Sequence, residues 1–221
     1  MDEIRRGISQ IPILKGLPAK EQELLAGICK LEKASRGKFL AHAGGVTKDI
    51  LFLIDGAVKL SQSTPEGKEM IIALLGPGEH VGMVSLLTGV QRPNDVIVTC
   101  RSNFLRINAV DFKKILHSLP ALSYELLLSL AKRLEQTSRH LAEISLYNLD
   151  LRLALRLLEL AVIVDIEDRE CLLVRQRPSH QDLADLLGVS REAITRSLKK
   201  LETDGHIEIA DDQIRILSTP K

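Results

Sequence analysis

Apolar residues change their spacing along this chain of 221 residues, and each change predicts a different kind of element. Up to about Glu32 they recur every three or four residues, as in the pair Leu24 and Ile28, which predicts short helices. From Gly37 the spacing becomes two residues and turn residues become frequent, which is typical of short strands. The predicted strands are Ile50–Ile54, Val58–Ser63, Glu69–Leu75, Val81–Leu86, Val96–Cys100 and Phe104–Ile107.

The residues between these strands predict how the strands connect. Asp55–Gly56 indicates a tight hairpin between the first two strands, because both residues tolerate positive φ. Pro65–Gly67 and Gly76–Gly78 are further turns. Short strands divided by glycine-rich turns predict a β-sandwich or barrel. Only 3% of the residues are aromatic, so we expect its core to be aliphatic.

A long helix is predicted after Asn108. Six of its residues alternate spacings of three and four, which is the pattern of a coiled-coil seam. They are Leu127, Leu130, Leu134, Thr137, Leu141 and Ile144. The seam can pair two copies of the chain, or the helix can instead lie on its own β-domain. After Tyr147 the pattern breaks, and Asn148 or Asp150 can cap a further helix, Leu151–Val164. We therefore place a domain boundary between residues 147 and 148.

The segment Pro178–Leu201 contains two helical patterns separated by Gly188, which can adopt positive φ and end the first helix. Ser179 and Ser190 are suited to cap the two helices. Apolar residues recur at helical spacing in both, as Leu183, Ala184, Leu186 and Leu187 and then as Ile194, Leu198 and Leu201. This arrangement predicts a helix-turn-helix, whose second helix enters the DNA major groove. Two short strands, His206–Ala210 and Gln213–Leu217, follow as a predicted β-wing.

The first turns of the second helix carry Arg191, Glu192 and Arg196. Arginine can bind guanine O6 and N7 with two hydrogen bonds, and a carboxylate can accept one from cytosine N4. Alternatively these are ordinary surface charges, like the neighbouring Lys199 and Lys200.

Overall charge does not decide between these readings. The net charge is +1, and residues 148–221 contain 11 Lys and Arg against 14 Asp and Glu. Basic residues are concentrated instead between Arg191 and Lys200, where four stand against one acidic residue. Non-specific affinity for DNA should therefore be modest and sensitive to salt. The three separated cysteines, the lack of a signal peptide and the lack of a long apolar run predict a cytoplasmic protein with no membrane contact.

The segment Gly188–Glu192, followed by Arg196, resembles the helix-turn-helix of the Crp/Fnr family. Ile54–Gly56, Gly76–Glu79 and Gly82 resemble the cyclic-nucleotide-binding β-roll of the same family. The resemblance extends from about residue 10 to 218 and is most specific at 188–196. It implies an α+β fold with an N-terminal β-roll, a long dimerisation helix at about 109–147 and a C-terminal winged helix-turn-helix at 148–221. The implied protein is a homodimeric transcription regulator, gated by a ligand or signal, that reads a palindrome with TGTGA-like half-sites.

The resemblance also assigns site residues. The implied DNA contacts are Ser179, Gln181, Ser190, Arg191, Glu192, Thr195, Arg196, Lys199 and Lys200. The implied effector site contains Gly82, Met83, Arg92, Thr137 and Ser138. Leu127, Leu130, Leu134, Leu141 and Ile144 pair the dimer, and the acidic segment 165–170, expected to be a solvated loop, lies in a neighbourhood that can touch RNA polymerase.

The sequence does not identify the effector. Where cAMP-binding members carry an acidic residue and an Arg-Ser pair, this chain has Met83 and Arg92–Pro93. We therefore expect that cAMP is not held in the family manner, although another nucleotide remains compatible with Arg92. Arg92 can alternatively be an exposed loop arginine.

Other chemistry has little support in the sequence. Three scattered cysteines cannot supply the four ligands of an iron–sulfur cluster. His42 and His80 are the candidate haem ligands, and Cys100 is the candidate for a thiol switch. No P-loop, zinc-spaced Cys/His set or G-x-S-x-G motif is present, so we expect no enzyme. The alternatives to a ligand-gated DNA-binding regulator are a ligand-binding module that acts on protein partners, and a haem or redox sensor of the same fold.

Overall fold

The computed structural model describes residues 2–220 except 68, 167, 168 and 211. The chain forms two compact units, Met1–Leu134 and Glu135–Lys221. The division between these units lies within the long helix, because the last turns of that helix bond to the helix that follows. Arg156 donates to Glu143 at 2.6 Å, and His140 lies 2.9 Å from a carboxylate oxygen of Glu159.

Along the sequence of the first unit, helices come before and after the strands. The order is α1 (Asp2–Gln10), α2 (Pro12–Lys15), α3 (Ala19–Ile28), β1 (Lys30–Ala34), β2 (Phe39–Ala41), β3 (Asp49–Asp55), β4 (Val58–Ser63), β5 (Glu69–Leu75), β6 (His80–Val81), α4 (Met83–Thr88), β7 (Asp95–Val98), β8 (Ser102–Asn108), α5 (Ala109–Ser118) and α6 (Pro120–Leu146). The predicted helices at the N-terminus are confirmed. The long helix predicted at about 109–147 is instead two helices, α5 and α6, which Leu119 separates. Lys30–Glu32, predicted to be helical, belongs to β1 instead.

The strands form two antiparallel four-stranded sheets, with the orders β1-β8-β3-β6 and β2-β7-β4-β5. A core that includes Leu53, Val58, Val96 and Phe104 contains residues from both sheets. A second core packs helices α1, α2, α3 and α5 against β3 and β8. The predicted sandwich is confirmed. Its core is not purely aliphatic, because three phenylalanines are fully buried: Phe52, Phe104 and Phe112.

Asp55–Gly56 is a corner between the sheets, so the predicted hairpin is wrong. β3 pairs with β8 and β6, whereas β4 pairs with β5 and β7. Gly56 has φ +95°, and a Cβ on it would stand 2.1 Å from Ser102 Oγ. That hydroxyl accepts a hydrogen bond from the Ala57 amide at 3.1 Å. The corner therefore depends on a glycine whose close approach to β8 leaves no room for a side chain.

The predicted strand Val81–Leu86 is also wrong, because Gly82 divides it. β6 ends at Val81, Gly82 adopts φ +100°, and α4 begins at Met83. A backbone with positive φ cannot continue a strand. The short apolar run therefore changes from strand to helix at this glycine.

The second unit combines helices with one antiparallel sheet. After α6 its elements are α7 (Leu149–Leu160), β9 (Val162–Ile166), β10 (Arg169–Val174), α8 (His180–Leu187), α9 (Arg191–Thr203), β11 (Ile207–Ala210) and β12 (Gln213–Ile216). The sheet order is β11-β12-β10-β9. Both helices of the helix-turn-helix and both strands of the wing are confirmed. The helix predicted as Leu151–Val164 ends early, because Val162–Ile166 pairs with β10. Asp165 and Glu170 of the acidic segment 165–170 therefore lie in paired strands rather than in a free loop, and Glu167 and Asp168 are outside the described residues.

Among the described residues, no helix combines the length and apolar character that crossing a bilayer requires.

The corner at Gly56 gives a test of the fold. Gly56→Ala adds both left-handed strain and the clash with Ser102, so we expect it to lower the free energy of unfolding by more than about 2 kcal/mol. Gly89→Ala is the matched control, because Gly89 has φ +73° but nothing within 4 Å of an added Cβ. Urea denaturation compares the two variants. Equal losses would contradict the steric account of the corner.

Candidate nucleic-acid interface and effector cavity

Three residues fix the turn between α8 and α9. Ser179 Oγ accepts from the Asp182 amide at 3.0 Å and starts α8, and Ser190 Oγ accepts from the Ala193 amide at 3.2 Å and starts α9. Gly188 ends α8 with φ +68°. The caps satisfy amides that the first helical turns leave without partners. The two serine caps and the glycine helix end predicted for the helix-turn-helix are thus all present.

One face of α9 is buried. Ile194 is 0% exposed, and Leu198 and Leu201 are each 1% exposed. They pack in one core with Leu183, Ala184 and Leu187 of α8, Leu153 and Leu157 of α7, and Ile207 and Ile214 of the wing. Burial of each large side chain contributes about 1.5–3 kcal/mol. The rotation of α9 about its axis is therefore fixed by its core contacts.

The opposite face of α9 is charged and exposed, and it brings together most of the predicted DNA contacts. Its exposed residues are Arg191, Glu192, Thr195, Arg196, Lys199 and Lys200. Within the described chain, the side chains of Arg191, Arg196 and Lys199 form no ion pair and no hydrogen bond. Hydrogen bonds from its own amide and from Ser190 lower the pKa of Glu192, so its carboxylate stays ionised. These groups are available to base edges and phosphates.

Lys200 differs from the other basic residues of α9 because it has an internal partner. Its Nζ lies 2.5 Å from Asp150 Oδ2, and Ser197 Oγ donates to Asp150 Oδ1 at 2.6 Å. Burial acts to raise the pKa of Asp150, but the bonds from Lys200 and Ser197 bring the pKa below its ordinary value. Asn148, rather than Asp150, caps α7 by accepting from the Leu151 amide. Asp150 thus ties α7 to α9, a role that the sequence did not reveal.

The remaining predicted DNA contacts are Ser179, Gln181 and Ser190, which lie exposed near the starts of the two helices. The two serines act as caps. Gln181 Nε2 donates to Asp185 Oδ1 at 2.8 Å along α8.

In the first unit, Arg92 lies against Gly82. A Cβ on Gly82 would stand 3.1 Å from Arg92 Nη2 and 2.9 Å from the Asp49 carbonyl oxygen. Arg92 Nη2 donates to that same carbonyl at 3.2 Å. Arg92 is only 9% exposed, so the alternative of an exposed loop arginine is wrong. Only glycine fits at position 82, because both the positive φ and the 2.9 Å approach to the Asp49 carbonyl oxygen exclude a side chain.

Arg92 borders a cavity of about 180 Å³ within the first unit. The charged residues that line the cavity are Glu32, His42, Lys48, Asp49, Arg92 and Arg106. Arg106 pairs with both Glu32 and Asp49. Arg92 has no carboxylate within ion-pair distance among the described residues. Burial lowers the pKa of its guanidinium, and the nearby Asp49 carboxylate, which Arg106 also engages, offsets only part of this effect. An anionic group in the cavity would add a counter-charge for Arg92.

The other predicted effector residues are Met83, Thr137 and Ser138. Met83 is 2% exposed and packs in the core with Leu86 and Phe112. Thr137 and Ser138 are exposed on α6 and belong to the second unit.

The candidate haem and thiol residues also have defined surroundings. His80 is 7% exposed, its Nε2 lies 3.2 Å from Ser129 Oγ, and burial together with Arg133 lowers its pKa to about 4. His42 is exposed and stacks on Phe39. Cys100 is half-buried. The described residues contain no His, Cys, Asp and Glu cluster suited to a metal ion.

The seam of α6 is an exposed apolar row. Its most exposed members are Leu127, Leu134, Leu141 and Ile144, at 64%, 70%, 70% and 58%. Leu130 is half-buried. The first turns of α6 bury Leu122 and Leu126 instead. The start of α6 therefore packs on the core of its own unit, as in the second alternative, whereas Leu127 and Leu134 lie exposed.

Known proteins share both parts of this architecture. Residues 31–118 match the cyclic nucleotide-binding domain, and residues 151–221 match the Crp-like helix-turn-helix domain. The cyclic AMP receptor protein of Thermus thermophilus is 27% identical over 93% of this chain and 92% of its own length. A CRP-like cAMP-activated global transcriptional regulator of Mycobacterium tuberculosis is 24% identical over 98% of this chain and 95% of its own.

Solved structures show the same fold. The c-di-GMP-responsive global regulator CLP of Xanthomonas campestris aligns with a TM-score of 0.71 at 22% identity, covering 91% of this chain and 100% of that one. FixK2 of Bradyrhizobium japonicum aligns with a TM-score of 0.75 at 18% identity, covering 86% and 92%. With the capped helix-turn-helix, the wing and the β-roll in place, these matches establish that the chain belongs to the Crp/Fnr family of DNA-binding transcription regulators.

Proposed function

We propose that this protein is a homodimeric regulator that reads a palindromic operator with TGTGA-like half-sites. The exposed charged face of α9 carries the proposal. Arg191 and Arg196 are suited to bind guanines, and Glu192 is suited to accept a hydrogen bond from cytosine. Because none of the three is held in an internal ion pair, binding to bases breaks no such pair.

The exposed row Leu127, Leu134, Leu141 and Ile144 supports the dimer. An apolar row at spacings of three and four on a helix of 27 residues suits a two-stranded coiled coil. A two-fold axis along this helix presents two α9 helices to successive major grooves, so the operator shares the symmetry. The functional division then lies at 147/148, between the dimerisation helix and the DNA-binding part.

The proposed signal is an anionic small molecule held by Arg92. Relatives are named for cAMP and for c-di-GMP, so the fold accepts different nucleotides. Met83 is buried, and Pro93 follows Arg92 in the sequence. Neither side chain can offer a polar contact to a ribose or phosphate, which favours an effector other than cAMP. Thr137 and Ser138 are the proposed contacts from the dimerisation helix, and RNA polymerase is the proposed protein partner at the β9–β10 hairpin.

The base contacts predict a difference between specific and non-specific DNA. Arg196→Ala should lose about 1–3 kcal/mol per bidentate contact on a TGTGA palindrome and little on scrambled DNA. Lys199→Ala should weaken both DNAs alike and flatten the salt dependence, because it removes a phosphate contact. Lys199 is the better control than Lys200, whose ammonium is bound to Asp150. Fluorescence anisotropy measures both variants, and equal losses on both DNAs would refute base readout by Arg196.

The seam predicts the oligomeric state. Leu134→Glu places a carboxylate in the desolvated interface, at a cost of several kcal/mol, so we expect monomers without operator binding. Ala142→Glu adds the same charge at an exposed position beside the seam and should stay dimeric. Sedimentation velocity separates the two results. A dimeric Leu134→Glu protein would show that the seam is assigned to the wrong residues.

The effector region predicts that micromolar cAMP leaves operator affinity unchanged. Two polar contacts are missing at Met83 and Pro93, and each lost hydrogen bond costs about 0.5–1.5 kcal/mol. Fluorescence anisotropy with and without cAMP measures the operator affinity, and calorimetric titration of the purified protein measures whether cAMP binds. Tight binding would mean that other residues of the cavity replace those contacts.

A further inference from the structure

A line of hydrogen bonds joins the start of α8 to the recognition helix. Arg177 Nη2 lies 3.1 Å from His180 Nε2, His180 Nδ1 lies 2.9 Å from Thr195 Oγ1, and Thr195 Oγ1 donates to the Arg191 carbonyl at 3.0 Å. A guanidinium can only donate, so Nε2 accepts and the ring proton resides on Nδ1. His180 is thus neutral, and each group in the line donates to the next.

This line lies in positive surroundings. Arg177, from the segment before α8, and Arg191, from α9, are the charged groups that act on His180, and both lower its pKa after the larger effect of burial. The carboxylates of α8 are engaged elsewhere, since Asp182 accepts from Ser179 and Asp185 accepts from Gln181. The wing contributes a backbone bond, from the Arg177 amide to the Asp212 carbonyl at 3.0 Å. Glu192 is the acidic group of α9 that interacts electrostatically with Arg191. Arg177, Arg191 and the half-buried His180 therefore share one site in which neither arginine forms an ion pair among the described residues.

We propose that Arg177 and His180 form a phosphate-binding subsite of the DNA interface, and that His180 gains a proton when a DNA phosphate occupies it. The inference rests on DNA binding by α9, because Thr195 and Arg191 belong to the proposed base-reading face. A backbone phosphate supplies negative charge to this site and accepts hydrogen bonds from both residues. Arg177 then donates to the phosphate instead of to His180 Nε2, and protonated His180 donates from Nε2 to the phosphate and from Nδ1 to Thr195.

The sign of the pH dependence follows from linkage. A phosphate raises the pKa of His180 relative to the free protein, so DNA binds more tightly as pH falls through the pKa of the complex. Each unit of increase gives about a tenfold gain in affinity per subunit. If His180 had a purely structural role, its pH dependence would have the opposite sign. Folding lowers the pKa of His180 below its ordinary 6.5, so the stability it contributes is complete above that value and is lost as pH falls through the folded pKa.

The test measures operator affinity of the full-length protein by anisotropy from about pH 8 to about pH 6 at constant ionic strength. We expect the wild-type affinity to rise several-fold at low pH, and His180→Gln, which keeps hydrogen-bonding groups but does not titrate, to remove the rise. His206→Gln is the control. His206 lies in the same unit and bonds to Ser218, so its loss should leave the pH profile unchanged.

A scrambled duplex separates this inference from the operator proposal. Phosphates occur in every sequence, so the scrambled duplex should show the same pH dependence at lower affinity. If both duplexes bind with equal affinity but keep the pH dependence, the TGTGA operator proposal is wrong and the phosphate subsite still stands. A flat wild-type profile, an affinity that falls at low pH, or a His180→Gln profile parallel to wild type would overturn the phosphate subsite.

Discussion

Burial of one face of α9 is the constraint on which the DNA interface depends. Ile194, Leu198 and Leu201 are almost completely excluded from water, and they contact α7, α8 and the wing in a single core. At 3.6 residues per turn, turning the helix by one residue rotates every side chain by about 100°. Such a rotation would expose these three residues and bury arginines. The direction in which Arg191 and Arg196 point is thus a consequence of apolar packing.

In the β-roll, too, the backbone determines where a charged side chain lies. Arg92 is buried beside the cavity because Gly82 leaves space for it and the Asp49 carbonyl accepts its hydrogen bond. Met83, the next residue after the glycine, turns into the core. Within residues 31–118, which match the cyclic nucleotide-binding domain, a buried arginine therefore borders the cavity, whereas the residue after the glycine serves packing. This is the physical basis for expecting an anionic effector with contacts different from those of cAMP.

Local signals explain what the sequence predicted well. Ser179, Gly188 and Ser190 act within a few residues of themselves, so the helix-turn-helix was predicted to within a residue or two. The corner at Gly56 was misjudged because a turn signal does not state which strands pair. The Asp150–Lys200 and His180–Thr195 contacts were missed because they join residues 50 and 15 positions apart. Such pairs form only when the elements pack together, and no periodic pattern in the sequence predicts them.

The proposed two-fold dimer presents two α9 helices to one face of the DNA. The most direct test is an anisotropy series on palindromes in which spacer base pairs are added between the half-sites. We expect about five added base pairs, half a helical turn, to abolish the specific part of the affinity, because the second half-site then faces away from its helix. Affinity that is unchanged by that half-turn would contradict the proposed dimer.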